Sequence, residues 1–535
     1  MTGETPLQSV EPGVGPRIFV GFTIMCVGMF MAILDVQIVA TSLPTIQQAL
    51  GIAPDQMSWV QTAYLIAEVV AIPLTAFLTR LLGMRLLFSA AVLAFSVASL
   101  GCAASSGFAG LIAWRVVQGF SGGMLIPAVF ASVFLFFPVR LQGFATMIAG
   151  VLAVLAPTAG PVAGGWITQT YSWHWLFLVN VAPGMAAGVF GLALLPREKP
   201  DGSAWKRFDL PSLLLLATCL AALEIALKEA PHRGWISPVV IMLLCWTAVA
   251  GAVLVPRAAQ AEQPLVDIRL FAHRDFALGA MLSFVLGIGL YGSVYLMPVF
   301  LAYVRGYGAL EIGKIMLVTG VAQLVTAPVA VALERRLDGR LLTAFGFALF
   351  ALGLALSARQ TIASDFDEMF WPQLLRGAAI MFCLLPPTRL ALGQIPPERV
   401  PDASALFNLM RNLGGAIGLA LIDTVIYGLA AAHGAAILSR LQAGDVTTAD
   451  AIGVPPAMMA AGPAALNDPA VRSLLAPLIE KAAFTETTNL AWMLIAVLSL
   501  VSIAALPFIL GGKAPEQQPA VQRTKELEKV ADSIE

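Results

Sequence analysis

Ionisable side chains inside long apolar runs are the residues of this chain most able to do chemistry, because charge in a low-dielectric medium is expensive and persists where it is paired or used. Asp35 and Arg115 each sit about seven or eight residues from one end of their runs, roughly 10–12 Å deep at 1.5 Å per residue. An acid that can take up a proton, beside a guanidinium that cannot lose one, lets proton occupancy switch a local field. The pair is therefore a candidate for proton coupling, with structural hydrogen bonding as the competing reading. Gln118, one turn from Arg115, shares its helix face and orients the arginine or meets a ligand. Glu68, in 63-AYLIAEVVAIP-73, is the most deeply placed acid. It is a candidate second protonation site or cation contact, or else a neutral acid bonded to a neighbouring helix. Glu224 lies near an end of its run, as a cavity candidate or an interfacial residue. Arg376 and Asp423 share one depth, which predicts an ion pair with a structural or gating role. Arg411 lies nearer the other end, where a long side chain snorkels to the interface.

The elements that must position these residues are membrane helices. Of 535 residues, 59% are apolar and 12% charged, whereas soluble domains carry about 25% charged residues. About 20 apolar residues cross a bilayer core, and the sequence predicts fourteen such spans: 18–43, 57–78, 86–104, 108–134, 144–170, 175–195, 209–228, 237–256, 277–301, 309–332, 341–358, 369–392, 402–428 and 488–511. The first is too long for a signal-peptide core and is read as an uncleaved span. An even number places both termini on one side. Nineteen Lys and Arg of the terminal and short-loop segments fall on that side, against Lys228, Arg233, Arg305 and Arg359 on the other, so the termini are expected to be cytoplasmic. Segment 429–487, rich in Ala, Pro and Gly, is expected as a long loop on the outer side. The net charge of −1 and the lack of basic runs exclude nucleic acid. The five cysteines and four histidines are scattered, which implies neither disulfides nor a metal site. Two motif matches carry no chemistry: 308-GALEIGKI-315 has Ile315 where a nucleotide-binding loop needs Ser or Thr, and 287-GIGLYG-292 lies within an apolar span. No enzyme activity is expected.

A shift of 258 residues superposes 111-LIAWRVVQGFSGGMLIP-127 on 369-MFWPQLLRGAAIMFCLL-385. Gly119 meets Gly377, Arg115 meets Gln373, and Gly160 meets Gly418 without a gap. Spans 4 and 5 thus correspond to spans 12 and 13. The chain reads as a six-helix half over 18–195, two inserted helices over 209–256 that are expected outside the main bundle, and a second half over 277–511, flanked by tails 1–17 and 512–535. Parallel halves of this kind suit a central cavity that opens to each side in turn, and Gln373 becomes a cavity candidate with Gln118.

Four stretches resemble the major facilitator superfamily, and in particular its fourteen-span EmrB/QacA-type drug:proton antiporters. In span 1, 34-LDVQIVATSLPTI-46 places Asp35 at the family's acidic position. In span 4, 111-LIAWRVVQGFSGG-123 is similar to the motif of a buried Arg followed by Gln-Gly. In span 5, 155-LAPTAGPVAGGWI-167 resembles the antiporter motif, with Pro157, Gly160, Pro161, Gly164 and Gly165, and 173-WHWLFLVNVAPG-184 resembles the family's lead-in to span 6. The same small residues also suit ordinary helix packing. One departure stands out: in 76-AFLTRLLGMR-85, Arg80 occupies the family's acidic position between spans 2 and 3, so the gating ion pair implied by that motif is not expected. Stretches 371-WPQLLRG-377 and 394-QIPPERVPDASALFNLMRNLGGAIG-418 resemble the EmrB branch.

The resemblance implies an all-α multi-pass protein of a bacterial inner membrane with the major facilitator fold: two six-helix bundles and two inserted helices. It implies multidrug efflux by alternating access, driven by a proton gradient without a cofactor. The partners it implies are small-molecule substrates, lipid, and a periplasmic adaptor with an outer-membrane channel. A proton falling through 100 mV supplies about 2.3 kcal/mol. Two other functions stay open: export of one endogenous metabolite, fatty acid or siderophore, and a non-transporting receptor or scaffold on a transporter fold.

Overall fold

Backbone amides in hydrocarbon have no water to bond, so each crossing segment closes its own hydrogen bonds as a helix. The computed structural model describes residues 15–52, 59–198, 209–261, 264–455, 458 and 468–509. Among these, fourteen long helices carry the fold. They are α1 (Pro16–Leu50), α2 (Trp59–Leu82), α3 (Met84–Ala103), α4 (Phe108–Phe136), α5 (Val139–Thr170), α6 (Trp175–Leu194), α7 (Leu210–Arg233), α8 (Pro238–Gln260), α9 (Arg274–Phe300), α10 (Ala309–Glu334), α11 (Gly339–Ser357), α12 (Phe366–Leu392), α13 (Val400–Gln442) and α14 (Pro469–Val501). Thirteen are long and apolar enough to cross a membrane. The other, α5, starts with the apolar run Val139–Ala153 and continues into a Gly- and Pro-rich half. Polar loop residues set the helix ends. Asp209, Ser237, Asp338 and Asp468 accept backbone N–H groups at the starts of α7, α8, α11 and α14, and Asp365 with Glu368 forms a capping box on α12.

Helices α1–α6 enclose one core, built around Met25, Phe88, Phe95 and Phe130, and α9–α14 enclose another around Phe300, Phe347, Phe350 and Trp492. The internal repeat recurs in how helices cross. A methyl group added at Gly119 of α4 would fall on the Tyr64 carbonyl of α2, and one at the equivalent Gly377 of α12 would fall on the Thr319 carbonyl of α10. Likewise Gly160 of α5 faces Gln37 of α1, and Gly418 of α13 faces Ile288 of α9. Glycine at each point lets two helices approach to backbone contact. Overpacking such a crossing costs about 1–3 kcal/mol, so Gly119→Ala is expected to lower the thermal unfolding midpoint of the purified protein. Gly428→Ala, which meets open space within a helix, is expected not to lower it.

The inserted helices differ from each other, and α7 differs from expectation. α8 packs on α7 and leaves Met242, Trp246 and Val249 exposed, so it lies outside the bundle. α7 instead fills the slot between α2 and α13, with Leu216 and Leu220 in one cluster with Val69, Ile72 and Phe407. Segment 429–487 is also not the expected loop. α13 runs on to Gln442, a short helix covers Val446–Ile452, and α14 starts at Pro469. Ile437, Leu441, Leu475 and Ala482 zip the two extensions into a hairpin. A span-length hydropathy reading misses it because an alanine-rich helix with a narrow apolar stripe is helical without being uniformly apolar. The tails 1–14 and 510–535 and most of 456–467 lie outside the described residues.

Candidate functional site

Asp35 and Arg115 meet in the first bundle with no exposure to solvent. Arg115 Nη1 donates to Asp35 Oδ2 at 2.6 Å and to Gln118 Oε1 at 2.7 Å, while its Nε donates to the Val60 carbonyl at 2.9 Å. Gln118 Nε2 donates to Asp35 Oδ1 at 3.0 Å and to Ser99 Oγ at 2.8 Å. Asn180 Nδ2 completes the set on Asp35 Oδ1 at 2.7 Å. The guanidinium lies over the Tyr64 ring, 4.4 Å from its centroid, and the Tyr64 hydroxyl donates to the Ala32 carbonyl. One carboxylate thus draws α1, α4 and α6 together, with α2 and α3 tied in through Val60 and Ser99. The spacing of Asp35, Arg115 and Gln118 is legible in sequence. Asn180 and Tyr64 are missed as partners, although Asn180 lies within the lead-in motif to α6.

The Asp35 cluster stands behind the central cavity and does not line it. That cavity, of about 150 Å³, lies between the bundles and is walled by α1, α2, α4, α5, α7, α9, α12 and α13. Leu65, Val69, Leu286 and Leu290 are typical of its wall, and its polar groups are Gln37, Glu68, Glu224, Tyr291, Asn408, Arg411 and Asn412. Glu68 is therefore a cavity residue. Glu224 reaches the cavity because α7 occupies the slot between α2 and α13, so it is not at the interface. Arg411 does not snorkel: its Nη2 donates to Asn408 Oδ1 at 2.6 Å, and its guanidinium lies 5.2 Å from the Phe130 ring centroid. Tyr291 donates to Asn412 Oδ1 at 2.7 Å. Sequence reading missed Tyr291, Asn408 and Asn412, which are uncharged, although Asn408 and Asn412 recur at one helical turn on α13.

Two expectations change. Gln118 and Gln373 lie within helix packing away from the cavity; Gln373 donates to the Ile315 carbonyl at 3.0 Å and accepts from Thr319. Arg376 and Asp423 share a depth but form no ion pair. Arg376 donates to Thr319 Oγ1 and faces the Trp492 ring, whereas Asp423 accepts from the Tyr295 hydroxyl at 2.8 Å. Their helices present them to different neighbours, which depth alone does not reveal. In the α5 motif, Gly160 makes the α1 crossing, and the carbonyls of buried Gly164 and Gly165 accept from Thr168. The side chains of Pro157 and Pro161 lie outside the described residues.

One end of the gap between the bundles is sealed. Arg80 of α2 donates to Asp402 of α13, and Ser404 Oγ donates to the Pro127 carbonyl of α4 at 2.9 Å. This end also carries Arg17, Arg85, Arg140 and Arg399, and it is called the basic end below. Arg80 thus makes an ion pair across the bundles, contrary to expectation, with its acid supplied by the start of α13.

The chain matches the family model "Major Facilitator Superfamily" over residues 25–419. It is 38% identical over 415 residues to "Colistin resistance protein EmrB" of Acinetobacter baumannii, covering 77% of this chain and 81% of that one. It is 31% identical over 421 residues to "Multidrug export protein EmrB" of Escherichia coli K12, covering 78% and 82%. Among solved structures, the human organic anion transporter MFSD10 shares the fold with a TM-score of 0.59 at 14% identity, over 92% of this chain and 99% of that one. The proton:xylose symporter XylE does so with a TM-score of 0.55 at 12% identity, over 90% and 95%. Fold, repeat and motif residues agree with these matches, and the chain belongs to the major facilitator superfamily, with EmrB proteins among its sequence relatives.

Proposed function

We propose that this protein is a proton-coupled exporter of small amphipathic compounds, working by alternating access in the inner membrane. The observation that carries the reading is a cavity between two bundles, sealed at the basic end, in which the carboxyl groups of Glu68 and Glu224 stand in an otherwise largely apolar wall. The positive-inside rule places the basic end in the cytoplasm, so the state described is closed on that side and both termini are cytoplasmic. A carboxylate in the cavity holds a proton or a cationic substrate but not both, and mutually exclusive occupancy couples the two fluxes. Glu68 meets the proton first in this scheme. Asp35, bonded to Arg115 behind Tyr64, is the second acid and takes a proton as α1 and α4 shift. On this orientation the α13–α14 hairpin projects into the periplasm, where an adaptor that leads to an outer-membrane channel would meet it.

The test is uptake of a fluorescent lipophilic cation by inverted proteoliposomes with and without an imposed pH gradient. Wild-type uptake is expected to depend on the gradient. Glu68→Gln is expected to lose most of that dependence, about ten-fold or more, since a neutral amide exchanges neither proton nor cation. Asp35→Asn is expected to lose coupling as well. Wild-type coupling in Glu68→Gln would sink the assignment of the cavity acid.

A further inference from the structure

Helix α7 belongs to neither six-helix bundle, yet it brings Glu224 to the cavity that Glu68 lines. Glu68 is 7% exposed and Glu224 is half-buried. Among the described residues neither carboxyl group has a hydrogen-bond or ion-pair partner, and in this they stand apart from the other enclosed acids. Asp35 is held by Arg115, Asp402 by Arg80, Glu334 by Arg389 at 3.1 Å, and Asp423 by Tyr295. Arg411 shares the cavity but is engaged by Asn408 and the faces of Phe130 and Phe407. An ionised carboxylate enclosed by hydrocarbon is costly until a cation or proton joins it. Two such groups on neighbouring helices of one cavity, whose wall also holds the Tyr291 ring and leucine side chains, suit a ligand with an apolar body and two positive centres.

We propose that Glu68 and Glu224 form one two-carboxylate site for a lipophilic dication, so that the inserted helix α7 supplies half of the charge recognition. The proposal deepens the exporter reading and rests on it for the ligand's role as cargo; the site itself is a matter of equilibrium binding. A monocation engages one carboxylate and leaves the other, whereas a dication engages both. The preference for double charge therefore resides in the residue added by α7.

Ethidium and propidium provide a matched test, since they share a phenanthridinium ring and carry one and two positive charges. Fluorescence titration of the full-length purified protein in detergent, with no gradient present, is expected to give propidium about ten-fold tighter binding than ethidium, one such factor being about 1.4 kcal/mol. Glu224→Gln is expected to abolish that preference while ethidium still binds, which also reports that the variant is folded. Glu224→Asp, which keeps the charge, is expected to retain most of it. Equal binding of the two probes by wild type, no binding of propidium, or a preference unchanged in Glu224→Gln would overturn the proposal. The two readings fail separately. Propidium preference in a protein whose vesicle uptake ignores the pH gradient removes proton coupling and leaves the site, whereas proton-coupled uptake without the preference removes the site alone.

Discussion

Purified Arg115→Met protein is expected to unfold well below the wild-type temperature, and the double variant Asp35→Asn/Arg115→Met to recover much of that loss. Methionine leaves the Asp35 carboxylate with its bonds from Gln118 and Asn180 but no counter-charge, in a place with no solvent exposure. Stranding a buried charge in this way costs about 3–5 kcal/mol, whereas removing both members of a buried pair is often nearly neutral. Recovery in the double variant is incomplete because the Val60 carbonyl loses its donor at 2.9 Å, a charge-assisted bond of about 1.5–3 kcal/mol. Thermal unfolding in one detergent, read by intrinsic fluorescence, orders the three proteins. A double variant no more stable than Arg115→Met would mean that the guanidinium acts mainly through Val60 and the Tyr64 face, with the ion pair contributing little. Gradient-driven uptake is expected to vanish in both variants, which separates the coupling role of the pair from its contribution to stability.

This cluster was legible in sequence because one coordinate suffices when two opposite charges are the only charged groups at their depth in neighbouring helices. The same coordinate misleads for Arg376 and Asp423. They are equally matched in depth, but α12 presents Arg376 toward Thr319 and Trp492, and α13 presents Asp423 toward Tyr295. Azimuth around the helix decides the partner, and an isolated position in an apolar run carries little information about azimuth. The repeat was readable for a related reason. Glycines at helix crossings tolerate no side chain, so Gly119 with Gly377 and Gly160 with Gly418 keep the register of the two halves where most other residues differ. The docking of α7 was not readable. Both inserted helices are apolar enough to cross a membrane, and their difference in placement lies in the slot that α2 and α13 leave between them. Depth left Glu224 open between cavity and interface, and placement puts it on the cavity wall.

Asp402→Asn is expected to raise the population open at the basic end, and the charge swap Arg80→Asp/Asp402→Arg to reverse part of that rise. The pair joins α2 of one bundle to α13 of the other, so it stabilises only states in which those helix ends meet. Arg80 is 25% exposed and Asp402 5% exposed, so the pair is worth less than a fully buried one and more than a surface pair. A shift of about 1–2 kcal/mol corresponds to a 5- to 30-fold change in the ratio of closed to open states. Distances between spin labels at Arg140→Cys and Glu398→Cys, both exposed at this end, report the ratio once Cys219 and Cys245 are replaced. Asp402 also lies in the first turn of α13, where a negative charge complements the helix dipole by about 0.3–1 kcal/mol. Arginine there opposes the dipole, so the swap restores the pair but not the full closure. Recovery to wild type would make the pair alone responsible for the seal, and no change in Asp402→Asn would assign the seal to Ser404 and the apolar contacts around Phe130. The sign of the charge at position 80 is inverted relative to the family pattern, and the geometry indicates why the position tolerates it. An ion pair still joins the end of α2 to the start of α13, with its acid supplied from α13, where the helix dipole also favours it.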